Sequence, residues 1–135
     1  MRTVAYPRIV PYQSVPAGAI ARPMLPVRLS VGAGWTPPIL AIVDSGADRS
    51  IFRTDVALLL GLDVATLPIS QTSGIGGPTA TYQSIVDMEV EGVVVSAEVD
   101  FLPGLPVLGL LGREDIFARL AFGFDQQARE LLIRL

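Results

Sequence analysis

The chain has 135 residues, half of them apolar, enough to bury one sizeable core and not readily two. All ten basic residues are arginine, and histidine and cysteine are absent. Disulfides, thiolate or imidazole metal sites, cysteine nucleophiles, histidine bases and lysine Schiff bases are therefore excluded, leaving Asp and Glu as the ordinary acid-base groups near neutral pH.

A net charge of −3 with scattered arginines gives no basic field for a nucleic-acid backbone. The apolar runs are strand-sized, well short of the roughly 20 residues needed to span a bilayer. The opening "MRTVAYPRIVPY" lacks the continuous apolar stretch of a secretory signal, so a cytoplasmic location is the expectation. Frequent Pro and Gly, few aromatics and many Val, Ile and Leu predict a mainly β fold of short strands and tight turns.

In chain order, the prolines between Pro7 and Pro26 predict an extended arm over residues 1–23, either loose or docked, ahead of a domain over 24–135. "MLPVRLSVG" follows as a strand in which Val27, Leu29 and Val31 alternate with Arg28 and Ser30, and "AGWTPP" turns it into a hairpin. "ILAIV" reads as a strand buried on both faces and delivers Asp44 at its end. "RTDVALLLGL" predicts one short helix with Thr54 or Asp55 as N-cap and Gly61 as the stop. A long β-hairpin is expected around "SGIGGP", then a strand "VVVSAEVDFL", the apolar run "VLGLLG" and a short helix "REDIFARL" with Ile116, Phe117 and Leu120 on one face. "AFGFD" and "LLIRL" form a last hairpin around "QQARE".

Asp, Ser and Gly are ordinary turn formers, so "VDSGAD" alone reads as a strand ending in a turn. Three features coincide, however: the apolar strand before Asp44, small residues after it, and a later apolar-apolar-Gly element, Leu110-Leu111-Gly112. A glycine-tipped hairpin lies between them.

In this combination the chain resembles the retropepsin-like aspartic proteases over about residues 24–135. That family has a D-[ST]-G-A motif after an apolar strand, then a glycine-rich flap, then an apolar-apolar-Gly turn running into a short helix. Here these are "DSGA", "SGIGG" and "LLGR". The helix after the DSGA turn resembles the cellular and bacterial branch rather than the compact viral one. The resemblance implies a single-domain closed β-barrel-like acid protease fold with one or two short helices, active as a two-fold dimer.

By the same resemblance Asp44 is the expected catalytic carboxylate, one from each of two chains, since a single DSG motif in so short a chain leaves no second lobe. Ser45 and Gly46 are expected to support the active-site loop, Ser45 by reaching across the dimer axis and Gly46 by allowing close backbone approach. Ala47 belongs to the same loop and offers no hydroxyl to the carboxylate, unlike the corresponding position of two-lobed pepsin-like enzymes. Asp48 is expected to contact substrate backbone and to pair with Arg113. That arginine stands where a helix N-terminus would disfavour a cation, and a carboxylate partner elsewhere would rationalise it; a solvated arginine is the plain alternative. Gly74, Ile75 and Gly76 form the expected flap tip, with a ligand-free mobile loop as the alternative. Leu108 and Leu110 serve equally as pocket walls or as core.

The expected function is therefore a homodimeric aspartic endopeptidase that holds an extended peptide and hydrolyses it with an activated water, with no metal or cofactor. A catalytically silent peptide-binding or dimerisation module of the same fold is the rival.

Overall fold

The computed structural model describes residues 3–74 and 76–135. Among the described residues, ten strands, β1 (Arg8–Pro11), β2 (Met24–Ser30), β3 (Ile39–Val43), β4 (Ile51–Arg53), β5 (Ile69–Gly74), β6 (Gly77–Val90), β7 (Val93–Leu102), β8 (Gly109–Leu111), β9 (Ala121–Asp125) and β10 (Glu130–Arg134), accompany one short helix, α1 (Thr54–Leu59). The larger sheet has the order β2-β3-β8-β4-β7-β6-β5, and pairing of β2 with β6 closes six of these strands into a barrel. A smaller sheet, β1-β10-β9, is separate in its strand pairing but contributes Leu131 and Ile133 to the same core.

Alternation builds the barrel interior. On β7, Val95, Ala97 and Val99 point inward while Val94, Ser96 and Glu98 are exposed. Phe52 of β4, Phe101 of β7, Leu25 and Leu29 of β2, Met88 of β6 and Leu111 of β8 are all fully buried against one another. Sealing large apolar side chains in this way contributes about 1.5–3 kcal/mol each relative to exposure.

Strand β8 sits between β3 and β4, parallel to the first and antiparallel to the second. The segment from Asp44 to Ser50 joins those same two strands, so it must arch over β8 and span two strand spacings, about 9–10 Å. The chain leaving β8 at Gly112 passes directly against that arch.

Several local expectations are corrected. Strand β3 is sealed only on one face: Ile39, Ala41 and Val43 are buried, whereas Leu40 and Ile42 are half-buried. Strand β2 stops at Ser30, leaving Val31 exposed, and the buried Ser30 hydroxyl is satisfied by accepting from the Gly32 N–H at 3.1 Å. The N-cap of α1 is Arg53, with no side-chain cap, rather than Thr54 or Asp55. Gly61 takes φ 74°, as a stop in the left-handed region requires. "REDIFARL" forms a single 3-10 turn, Ile116–Ala118, not a helix. Its leading amides are drawn away, Arg113 N–H to the Ala47 carbonyl at 3.0 Å and Glu114 N–H to Asp48 at 2.8 Å. Ile116 and Leu120 are still buried, with Phe117 half-buried against Phe122.

Within the proline-rich segment, β1 pairs antiparallel with β10, Arg8 opposite Ile133 through Pro11 opposite Glu130. Gln13 and Arg22 form a further bridge. Among the described residues, no helix is long and apolar enough to cross a membrane.

Candidate active site

Parallel pairing with β8 holds the end of β3, and the Asp44 N–H donates to the Leu111 carbonyl at 3.0 Å. The loop then turns tightly. The Asp44 Oδ1 accepts from the Gly46 N–H at 2.9 Å, and its carbonyl accepts from the Ala47 N–H at 3.2 Å. This is the Asx-type turn that Asp followed by small residues favours. It fixes one carboxylate oxygen while the side chain remains half-buried at the mouth of a cleft.

That cleft has a volume of about 520 Å³. Asp44, Gly46, Ala47, Asp48 and Arg49 line it from the loop, Ile51 and Leu110 from β4 and β8, and Gln71, Thr72 and Ser73 from β5 of the long hairpin. The glycine-rich hairpin and the Asp44 loop thus bound one space. The hairpin closes with Gly74 opposite Gly77, and Gly76 lies in the turn. Ile75 lies outside the described residues. Ser45 is exposed beside the cleft. Leu108 does not join it: that residue lines a separate groove of about 420 Å³ with Val15, Pro16, Leu40 and Pro106.

Asp48 and Arg113 meet as an ion pair. Both are more than half exposed, at 74% and 56% of their side chains, so the carboxylate is not buried in the single chain. Because no helix begins at Arg113, the expected clash between its charge and a helix N-terminus does not arise.

Four residues that the sequence does not single out shape the site. Ser50 is fully buried and staples the arch to the turn after β8. Its Oγ donates to Asp115 Oδ1 at 2.9 Å and accepts from the Gly112 N–H at 3.1 Å, while its own N–H faces Asp115 Oδ2 at 3.4 Å. Asp115 also accepts from the Ile116 N–H at 2.6 Å. Burial pushes the Asp115 carboxyl above its ordinary value, although these hydrogen bonds pull the other way. Gly112 is dictated by space: a Cβ there would stand 2.4 Å from the Arg49 carbonyl carbon and 2.6 Å from its oxygen.

Arg49 and Asp100 complete the cleft wall. Asp100 is only 2% exposed, and its Oδ1 has no hydrogen-bond partner; the Arg49 Nη2 lies 3.4 Å away as its counter-charge. Glu98 flanks the same guanidinium at 3.7 Å. Asp100 falls in the outward phase of β7, where alternation reads as solvated, so no signal in the sequence marks its burial. Ser50 and Asp115 are 65 residues apart, and nothing local announces their bond. Among the described residues, no three carboxylates gather as a metal-ligand set.

No curated protein matches the chain. The aspartyl protease family, of retropepsin-like type, matches residues 26–114, which takes in the Asp44 loop, the glycine-tipped hairpin and the turn after β8. With that match extending over most of a closed six-stranded barrel, the chain belongs to the aspartyl protease family.

Proposed function

We propose that the protein is an aspartic endopeptidase that works as a homodimer, with Asp44 of each subunit supplying one carboxylate of a catalytic dyad. The observation that carries this reading is the placement of Asp44 at the rim of a cleft whose opposite wall is the glycine-tipped hairpin. Hydrolysis of a peptide by water needs a base for the water proton and an acid for the carbonyl oxygen. Two adjacent carboxyl groups sharing one proton provide both. The ionised group takes a proton from water as its oxygen attacks the carbonyl carbon, and the protonated group gives its proton to the carbonyl oxygen. The tetrahedral diol then collapses, the C–N bond breaks, and the departing amine is protonated by the dyad.

The Gly46 amide on Asp44 Oδ1 orients the carboxylate without occupying its second oxygen. An extended peptide beside β5 would be held by main-chain bonds, with Leu110, Ile51 and Ala47 offering apolar surface to its side chains. Ser45 supports the loop, Asp48 meets the substrate backbone, and Gly74, Ile75 and Gly76 close over it.

Digestion of a peptide library by the wild type and by Asp44→Asn tests the reading. Cleavage by the wild type and its loss in a folded Asp44→Asn variant is the expected result. Undiminished cleavage by the variant would overturn the role of Asp44. A dimer that binds peptides without cutting any would favour the non-catalytic module instead.

A further inference from the structure

Strand β7 pairs with β6 from Val93 to Phe101, but on its other side β4 reaches only Asp100 to Leu102. The stretch from Val93 to Val99 therefore has an open edge within the larger sheet. The turn before it decides which groups face that edge. Glu91 and Gly92 both have positive φ, 51° and 76°, the two-residue hairpin turn whose flanking pair, Val90 and Val93, exchanges both backbone bonds. Alternation then directs the N–H and C=O groups of Val95, Ala97 and Val99 to β6, and those of Val94, Ser96 and Glu98 to the open side. The Asp100 N–H, next in that outward series, donates to the Ser50 carbonyl at 3.1 Å, as this phase requires. Among the described residues, no backbone group bonds the outward groups of Val94, Ser96 and Glu98. They border a groove of about 610 Å³, bounded on its other side by Glu114, Ala118 and Arg119 from the turn after β8. Arg49 lines both this groove and the Asp44 cleft.

We infer that this groove is a second substrate-binding site: an extended stretch of the protein substrate, outside the residues being cut, pairs with the open edge of β7. The inference rests on the protease reading above. The chemistry of the occupant follows from what is left unpaired, since an alternating row of N–H and C=O groups is satisfied in register only by another extended backbone. Its source follows from Arg49, which stands between the two spaces, so that one polypeptide can lie in the cleft and in the groove at once. Recognition there is by main chain, so it depends little on the sequence of the bound segment. It adds affinity for long unfolded chains, whose backbone is free to pair, over short peptides that fill the cleft alone.

Two probes test the groove: an octapeptide that the wild type cuts, and a long unstructured chain carrying the same octapeptide. On Asp44→Asn, the long chain is expected to slow hydrogen exchange of the Val94, Ser96 and Glu98 amides about tenfold or more, and the octapeptide is not. Ser96→Pro removes the central outward N–H without taking a bond from β6. In the wild-type background it is expected to raise KM for the long chain about tenfold more than for the octapeptide, with kcat following no such split. Should circular dichroism show Ser96→Pro unfolded, Ala118→Trp, which fills the groove from its other side, carries the same expectation. Exchange unaltered by the long chain, or a folded variant with equal effects on both probes, would overturn the second site while leaving the role of Asp44 standing. Slowing by the octapeptide as well would also overturn it, since the cleft alone would then account for the change. Slow exchange of the same amides in the unliganded protein, growing with its concentration, would overturn it in favour of a second copy of this chain. A wild type that cuts neither probe would remove the protease reading, and the second site with it.

Discussion

Replacing Gly112 by alanine drives a methyl group into the arch that carries Asp44. The new carbon would stand 2.4, 2.6 and 2.8 Å from the carbonyl carbon, oxygen and Cα of Arg49, all backbone atoms with no flexible end to swing aside. Overpacking against yielding side chains costs about 1–3 kcal/mol. Here the arch itself must lift, which also strains the Gly112 N–H to Ser50 Oγ and Arg113 N–H to Ala47 carbonyl bonds, each worth about 1 kcal/mol. A loss of about 3–5 kcal/mol follows, a large share of the 5–15 kcal/mol typical of a domain. Urea unfolding of the wild type and variant measures it. Gly76→Ala serves as the comparator, because no atom lies within 4 Å of its added Cβ, and its stability should stay within about 0.5 kcal/mol of wild type. A Gly112→Ala protein that loses less than about 1 kcal/mol at unchanged slope would refute the claim that the arch rests on this turn.

Asp115 and Arg113 supply two further predictions. Burial raises the folded-state pKa of Asp115 above its unfolded value, so the native chain keeps that proton to higher pH than the unfolded one. The contribution is present below the ordinary carboxylate range and is lost as pH rises through the folded value. Urea midpoints between about pH 3 and pH 6 should therefore fall with pH in the wild type relative to Asp115→Asn, and parallel curves would contradict this. Arg113→Ala removes a pair whose members are both mostly exposed, so it should cost the single chain no more than about 1 kcal/mol. A melting temperature lower by tens of degrees would show that the pair is shielded in a way the single chain does not reveal.

The site was legible in the sequence where the information is local. The apolar run into Asp44 and the glycines between two strand-like segments lie within a few residues of the turns they make, and β3, β5 and β6 form there. The short helix after α1's strand, β4, is equally local, and Gly61 stops it. What remained hidden depends on distant partners. "REDIFARL" has helical apolar spacing, yet only one 3-10 turn forms there, with its first amides bonded to Ala47 and Asp48 and its Asp115 held by Ser50. Asp100 has the phase of a surface residue and is nevertheless buried, beside Arg49 of the Asp44 loop. Proline content suggested an arm over the first residues, but a four-residue stretch of it finds a partner at the far end of the chain.

That last pairing has a consequence for biosynthesis. Strand β1 leaves the ribosome first among the strands, while its partner β10 is made about 125 residues later, since Arg8 lies opposite Ile133. At about 5–20 residues per second, β1 waits roughly 6–25 s before a complementary edge exists. The barrel strands β2 to β8 are made within that interval, whereas the small sheet lacks β10 until its end. The small sheet is therefore the last part of the fold whose strands can all pair, since β9 and β10 follow every strand of the cleft-bearing barrel.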